Sequence, residues 1–220
     1  MGFALQSTRM QTDWAAENLQ VIRTLMERSA IYRRALAPMT LLAGTLGTVA
    51  AVLGPLLKVQ APRSFVFYWL GVAALAIVGA AFLVRRQAVR AGEPFWSPPA
   101  RRVARAAVPA GVVALLLTLA VLVAGFQAAE VEGEVTRVML PMAWVMLYGL
   151  GLNAAGFFMP RGIQLLGWIF IAGGGLSFLA HGANVRGVPT GHWMMGLHFG
   201  ALHLAYGIYL LATEKTRSAL

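Results

Sequence analysis

The chain has 220 residues, of which 59% are apolar and 12% charged, and its mean hydropathy is +0.69. A soluble domain carries about 45–50% apolar and about 25% charged residues, so this composition excludes an ordinary water-soluble globule, and the low charge excludes a disordered chain. The absence of cysteine excludes a disulfide framework and any cysteine-ligated metal or iron–sulfur centre.

Residues 1–35 precede the first long apolar run. From Thr12 to Arg34 there is no proline or glycine, and Thr12 or Asp13 supplies a helix start. Trp14, Leu25 and Tyr32 share one side at helical spacing, while Arg23, Glu27, Arg28 and Arg34 supply the polar complement. This predicts an amphipathic helix. It either lies on the inner membrane surface with its arginines at lipid phosphates, or docks a cytoplasmic partner.

Six apolar runs follow, at about residues 36–57, 65–84, 106–126, 138–159, 162–180 and 193–212. A bilayer core about 30 Å thick needs about 20 apolar residues at about 1.5 Å rise each, so each run is long enough to cross. None has Asp, Glu, Lys or Arg in its interior. The sequence therefore predicts an all-α, polytopic protein: an N-terminal amphipathic cytoplasmic helix (1–35), a six-helix transmembrane domain (36–213) and a short cytoplasmic tail (214–220). Pro55, Pro109 and Pro141 read as span boundaries.

The flanking charges predict orientation. Arg85, Arg86, Arg90, Arg101, Arg102, Arg105 and Arg161 share one side with the basic residues of both termini, leaving Lys58, Arg63, Arg137 and Arg186 on the other with Glu130, Glu132 and Glu134. Retention of Lys and Arg in the cytoplasm puts both termini inside. The net charge of +10 is then mostly a topology signal, and nucleic acid is not an expected partner. Within the arginine-rich loop at 85–105, Phe95 and Trp96 stand between prolines and two basic clusters. They read as an interfacial anchor, or as a contact for a partner or anionic lipid.

All four histidines fall late in the chain: His181, His192, His198 and His203. His181 ends the fifth run and His192 begins the sixth, which predicts similar depth near the outer surface and a weak two-histidine metal site. At 100° per residue, His192, Gly196, Gly200, His203 and Gly207 form one stripe, with His198 on another side. Gly167, Gly174, Phe178 and His181 form a face on the fifth run. The two small faces predict a tight antiparallel hairpin between the fifth and sixth spans, with His203 deep inside. A buried imidazole needs a partner, such as a backbone carbonyl, Asn153, Gln164, Ser177 or a threonine. The alternative is axial ligation of haem or another macrocycle, with His203 the first candidate ligand and His198 the next.

Ser177 and His181 lack the separate-helix arrangement and oxyanion site of an intramembrane hydrolase, and phosphate-loop and dinucleotide fingerprints are absent. A three-plus-three division suits a transporter, though no carboxylate lies within a span to couple to an ion.

Four stretches are distinctive: Met26–Arg34; Phe95-Trp96-Ser97-Pro98-Pro99 with Arg101-Arg102; Tyr148-Gly149-Leu150 through Phe157-Phe158-Met159-Pro160-Arg161-Gly162; and Met195–Gly207. Together they resemble a group of uncharacterised bacterial six-span integral membrane proteins. The resemblance implies a bacterial inner membrane and no particular activity or cofactor. The expected role is non-enzymatic: a scaffold, accessory subunit or sensor acting through partners or a second copy. Trp14, Leu25, Tyr32, Phe95 and Trp96 are its contact residues.

Overall fold

The computed structural model describes residues 36–90, 92, 94–124, 129–184, 186–187 and 190–218, and the expected helix at 12–34, with Trp14, Leu25 and Tyr32, lies outside them. Among the described residues all regular structure is helical, and six helices are long and apolar enough to cross a membrane. They are α1 (Leu36–Leu56), α2 (Pro62–Arg90), α3 (Pro98–Ala124), α4 (Val131–Gly156), α5 (Arg161–Gly182) and α6 (Gly191–Thr213).

The helices overrun the apolar runs. α2 continues through Arg85 and Arg86 to Arg90, and α3 starts at Pro98, so the expected loop at 85–105 contracts to seven residues. The reason is chemical: arginine is a good helix former, and the apolar pattern marks where lipid ends, not where the helix ends. Of the prolines around Phe95 and Trp96, Pro98 and Pro99 start α3, while Pro94 lies in the turn before it. Ser97 caps it, its Oγ accepting from the Ala100 N–H at 3.5 Å and its carbonyl from the Arg101 N–H at 3.1 Å. Proline is well placed just after such a cap, where its missing N–H has no intrahelical partner to lose. Pro109 and Pro141 are not boundaries but lie inside α3 and α4.

Specific contacts tie neighbouring helices together. Tyr68 of α2 donates its hydroxyl to the Ala50 carbonyl of α1 at 2.7 Å. The Trp144 indole of α4 donates to Thr118 of α3 at 2.9 Å. α4 and α5 meet through glycines: a Cβ on Gly149 would sit 2.7 Å from the Gly167 carbonyl oxygen, and one on Gly156 would sit 2.9 Å from Gln164. α6 closes the bundle by packing on both α5 and α1. One core joins Ala50, Ala51, Phe65, Val66, Trp69, Leu140, Trp144 and Met195 across four helices. A second joins Met142, Val145, Leu166, Phe170 and Met194. α2 and α3 bury little of their length, so most of their apolar surface faces outward.

The expected α5–α6 glycine hairpin is not what forms. Gly167 and Gly174 face α4, the former against Asn153 and the latter against Met142 and Met146. The α6 glycines face α1: a Cβ on Gly196 would strike Ala51, one on Gly200 would lie 2.6 Å from Thr48 Oγ1, and one on Gly207 would lie 2.7 Å from Leu41. Gly44 and Gly47 reciprocate from α1, against Leu204 and Phe199. Small residues on both helices let two backbones approach closely, which is how helices associate where lipid removes the hydrophobic drive.

Candidate functional site

Two of the membrane helices contain π-helical turns, Val135–Met139 in α4 and Gly196–Leu202 in α6. The first lies just before Pro141, whose ring would crowd the carbonyl four residues back in a regular helix; widening the turn relieves that contact. The second resets the face of α6. In an α-helix His198 and His203 stand about 140° apart; in a π-helical turn residues five apart lie one above the other. Both imidazoles therefore face α4 and α5, with His203 turned off the glycine stripe, and both rings lie against Phe170, at centroid separations of 5.9 and 5.3 Å.

Each imidazole is held by groups of this chain. His203 Nδ1–H donates to the His198 carbonyl at 3.3 Å, because a carbonyl can only accept. Its Nε2 then carries the lone pair and accepts the Tyr148 hydroxyl at 2.8 Å. Tyr148, Phe170 and Phe199 surround the ring, Phe199 stacked at 6.2 Å and 15°. His198 Nδ1–H donates to the Met194 carbonyl at 3.0 Å, and its Nε2 is directed at Gly173, where a Cβ would sit 2.6 Å away. Neither ring uses the amides the sequence offered. Gln164 lies along Gly156, and the Asn153 Nδ2 is buried with no protein partner.

His192 is buried at the other end of α6. The Trp69 indole N–H donates to its Nδ1 at 3.1 Å, which leaves Nε2–H to donate to the Val59 carbonyl at 2.8 Å. Phe65 and Tyr68 meet the ring edge-on, and Gly54 gives it room, since a Cβ there would overlap the imidazole. Val59 follows Lys58, which closes α1 in the left-handed conformation (φ 56°), with Lys58 N–H on the Pro55 carbonyl and Val59 N–H on the Gly54 carbonyl. His192 thus fastens the cap of α1 to α2 and α6.

His181 takes a different partner: its Nε2 meets the Glu134 carboxylate of α4, while Glu132 lies 3.8 Å from Arg63 of α2. The acidic residues at the start of α4 therefore tie neighbouring helices at that end. Among the described residues no three of His, Asp or Glu are gathered as metal ligands. His181 and His192, considered together as a metal pair, are each engaged elsewhere, one by Glu134 and the other by Trp69 and Val59.

Phe95 and Trp96 lie exposed in the α2–α3 turn with ring centroids 6.3 Å apart. Three features escaped the periodicity argument: the Tyr148 partner, the Trp69 partner and the π-helical turn itself. Trp69 carried a usable signal, an indole N–H several residues inside an apolar run, where it must find an acceptor.

Comparison with protein families, curated proteins and solved structures finds no match for this chain.

Proposed function

We propose that this six-helix membrane protein is non-enzymatic and works as a scaffold, accessory subunit or sensor through contacts with partners. It would sit in a bacterial inner membrane with its arginine-rich end in the cytoplasm. The observation that carries this reading is how the polar groups within the spans are used. The ring nitrogens of His192 and both nitrogens of His203 bind tryptophan, tyrosine and carbonyl groups from three helices, which makes them fasteners of the bundle. Axial ligation by His203 Nε2 would first require breaking its bond to Tyr148. The exposed Phe95–Trp96 pair is the contact the described residues offer a soluble partner. Aromatic side chains in such positions dominate interface energetics.

The test compares co-purification from native membranes by the full chain and by Phe95→Ala/Trp96→Ala. Loss of a stoichiometric partner in the variant is the expected result. An identical set of interactors, or a visible absorption band from a bound macrocycle in the purified protein, overturns the reading.

A further inference from the structure

We propose that the α2–α3 turn is a binding site for an anionic phospholipid. This goes beyond the partner reading and does not depend on it. Arg85, Arg86, Arg90, Arg101, Arg102 and Arg105 are all exposed around this turn, and none has a carboxylate partner among the described residues. The carboxylate pairs that do form, Arg63–Glu132 and Glu134–His181, lie at the opposite end of the bundle. Six guanidiniums within two helix ends and a seven-residue turn repel one another unless anions lie among them.

The spacing says what kind of anion. Arg86 and Arg90 are one turn apart on α2, and Arg101 and Arg105 are one turn apart on α3. Each pair heads a stripe that runs on into exposed apolar side chains. On α2 the stripe continues toward the bilayer centre as Phe82 and Val78; on α3 it continues as Val108 and Val112. Both arms thus present charge at one level and open hydrocarbon directly beneath it. That order matches a molecule with a phosphate at its head and acyl chains below. A free phosphate, a nucleic acid or an acidic soluble protein would use the arginines and leave the apolar stripes unused. Guanidinium forks bind phosphate oxygens two at a time, and clustered basic side chains beside a membrane helix favour anionic headgroups.

The experiment is native mass spectrometry of the full chain in neutral detergent. It is offered phosphatidylglycerol, phosphatidylcholine, or water-soluble glycerol phosphate. Retention of phosphatidylglycerol over both others is expected. The variant Arg86→Gln/Arg90→Gln/Arg101→Gln/Arg105→Gln should retain it about tenfold less or worse, since each basic residue at an anionic surface contributes roughly a factor of five. Lys58→Gln/Arg186→Gln, at the other end, should retain it as the parent does. The four arginines are exposed and have no carboxylate partner among the described residues, so their removal leaves the packing intact, and the same four positions changed to lysine supply a second variant that should keep most of the lipid. Equal retention of the two lipids, equal retention by the glutamine variant, or binding of glycerol phosphate as strong as that of the lipid overturns the proposal. Phe95 and Trp96 are untouched, so failure here leaves the partner reading standing.

Discussion

The indole of Trp69 on α2 donates a hydrogen bond to Nδ1 of His192 on α6, 123 positions later in the chain, at 3.1 Å. An indole N–H has no other role than donor, so this contact fixes which histidine nitrogen carries the proton and commits the other to the Val59 carbonyl. Trp69→Phe keeps most of the apolar contact with Phe65 and Tyr68 but leaves a buried acceptor alone. The expected loss is about 1–3 kcal/mol in unfolding free energy, the cost of an unsatisfied buried polar group. A double-mutant cycle of Trp69→Phe with His192→Leu should show coupling above about 0.5 kcal/mol. Strict additivity of the two substitutions, measured by denaturant titration in detergent, would show that the bond is not formed.

The Tyr148–His203 bond makes a second, spectroscopic prediction. Because Nδ1–H is directed at the His198 carbonyl, the His203 ring is the Nδ1–H tautomer, with Nε2 accepting the Tyr148 hydroxyl. Nitrogen chemical shifts of labelled histidine should report that tautomer for His203, and its Nε2 resonance should move in Tyr148→Phe. The stability change should be modest, about 0.6–2 kcal/mol, the span measured for hydrogen bonds between membrane helices. An Nε2–H tautomer for His203 would contradict the arrangement directly.

The glycine seam between α1 and α6 separates two kinds of glycine in the same membrane. A Cβ on Gly47 would sit 2.6 Å from the Phe199 carbonyl oxygen and 2.8 Å from the Gly200 nitrogen, both backbone atoms that cannot swing away. Gly71 on α2 and Gly111 on α3 have nothing within 4 Å of the same position. Gly47→Ala should therefore destabilise by about 1–3 kcal/mol through overpacking. Gly71→Ala and Gly111→Ala should be neutral or stabilising by up to about 1 kcal/mol, because alanine favours the helix. Thermal midpoints of the three variants decide the matter; similar values for all three would show that α1 and α6 do not meet at these residues.

How much of this was legible beforehand depends on which physical signal each feature left. The six spans were readable because lipid demands a minimum run of apolar residues, and no local detail offsets that demand. Helix ends were not, since Arg85 to Arg90 and Arg101 to Arg105 are polar and helical at once. The direction of His203 was misread for a sharper reason. Periodicity assumes one residue count per turn, and the π-helical turn at Gly196–Leu202 breaks that count. One stripe becomes two faces: Gly196, Gly200 and Gly207 meet α1, while His203 joins His198 against Phe170. Trp69 announced that it needed an acceptor, but that His192 supplies it, and that Tyr148 serves His203, is decided by packing between helices distant in sequence.

The cap of α1 gives the last prediction. Lys58 adopts φ 56°, a conformation in which an L side chain crowds its own backbone by roughly 1 kcal/mol and glycine does not. The position is retained because the bonds on either side over-determine it: Lys58 N–H to Pro55, Val59 N–H to Gly54, and His192 Nε2–H to the Val59 carbonyl. Lys58→Gly should therefore raise stability by a few tenths to about 1 kcal/mol, the relief of strain being partly offset by the greater freedom of glycine in the unfolded chain. In a His192→Leu background the external brace on Val59 is gone, the turn can relax, and the gain from Lys58→Gly should become smaller than in the parent. Thermal unfolding of the parent and the three variants in one detergent measures both effects. A loss of stability on Lys58→Gly in the parent would mean that the lysine side chain itself, and not the backbone turn, holds the end of α1.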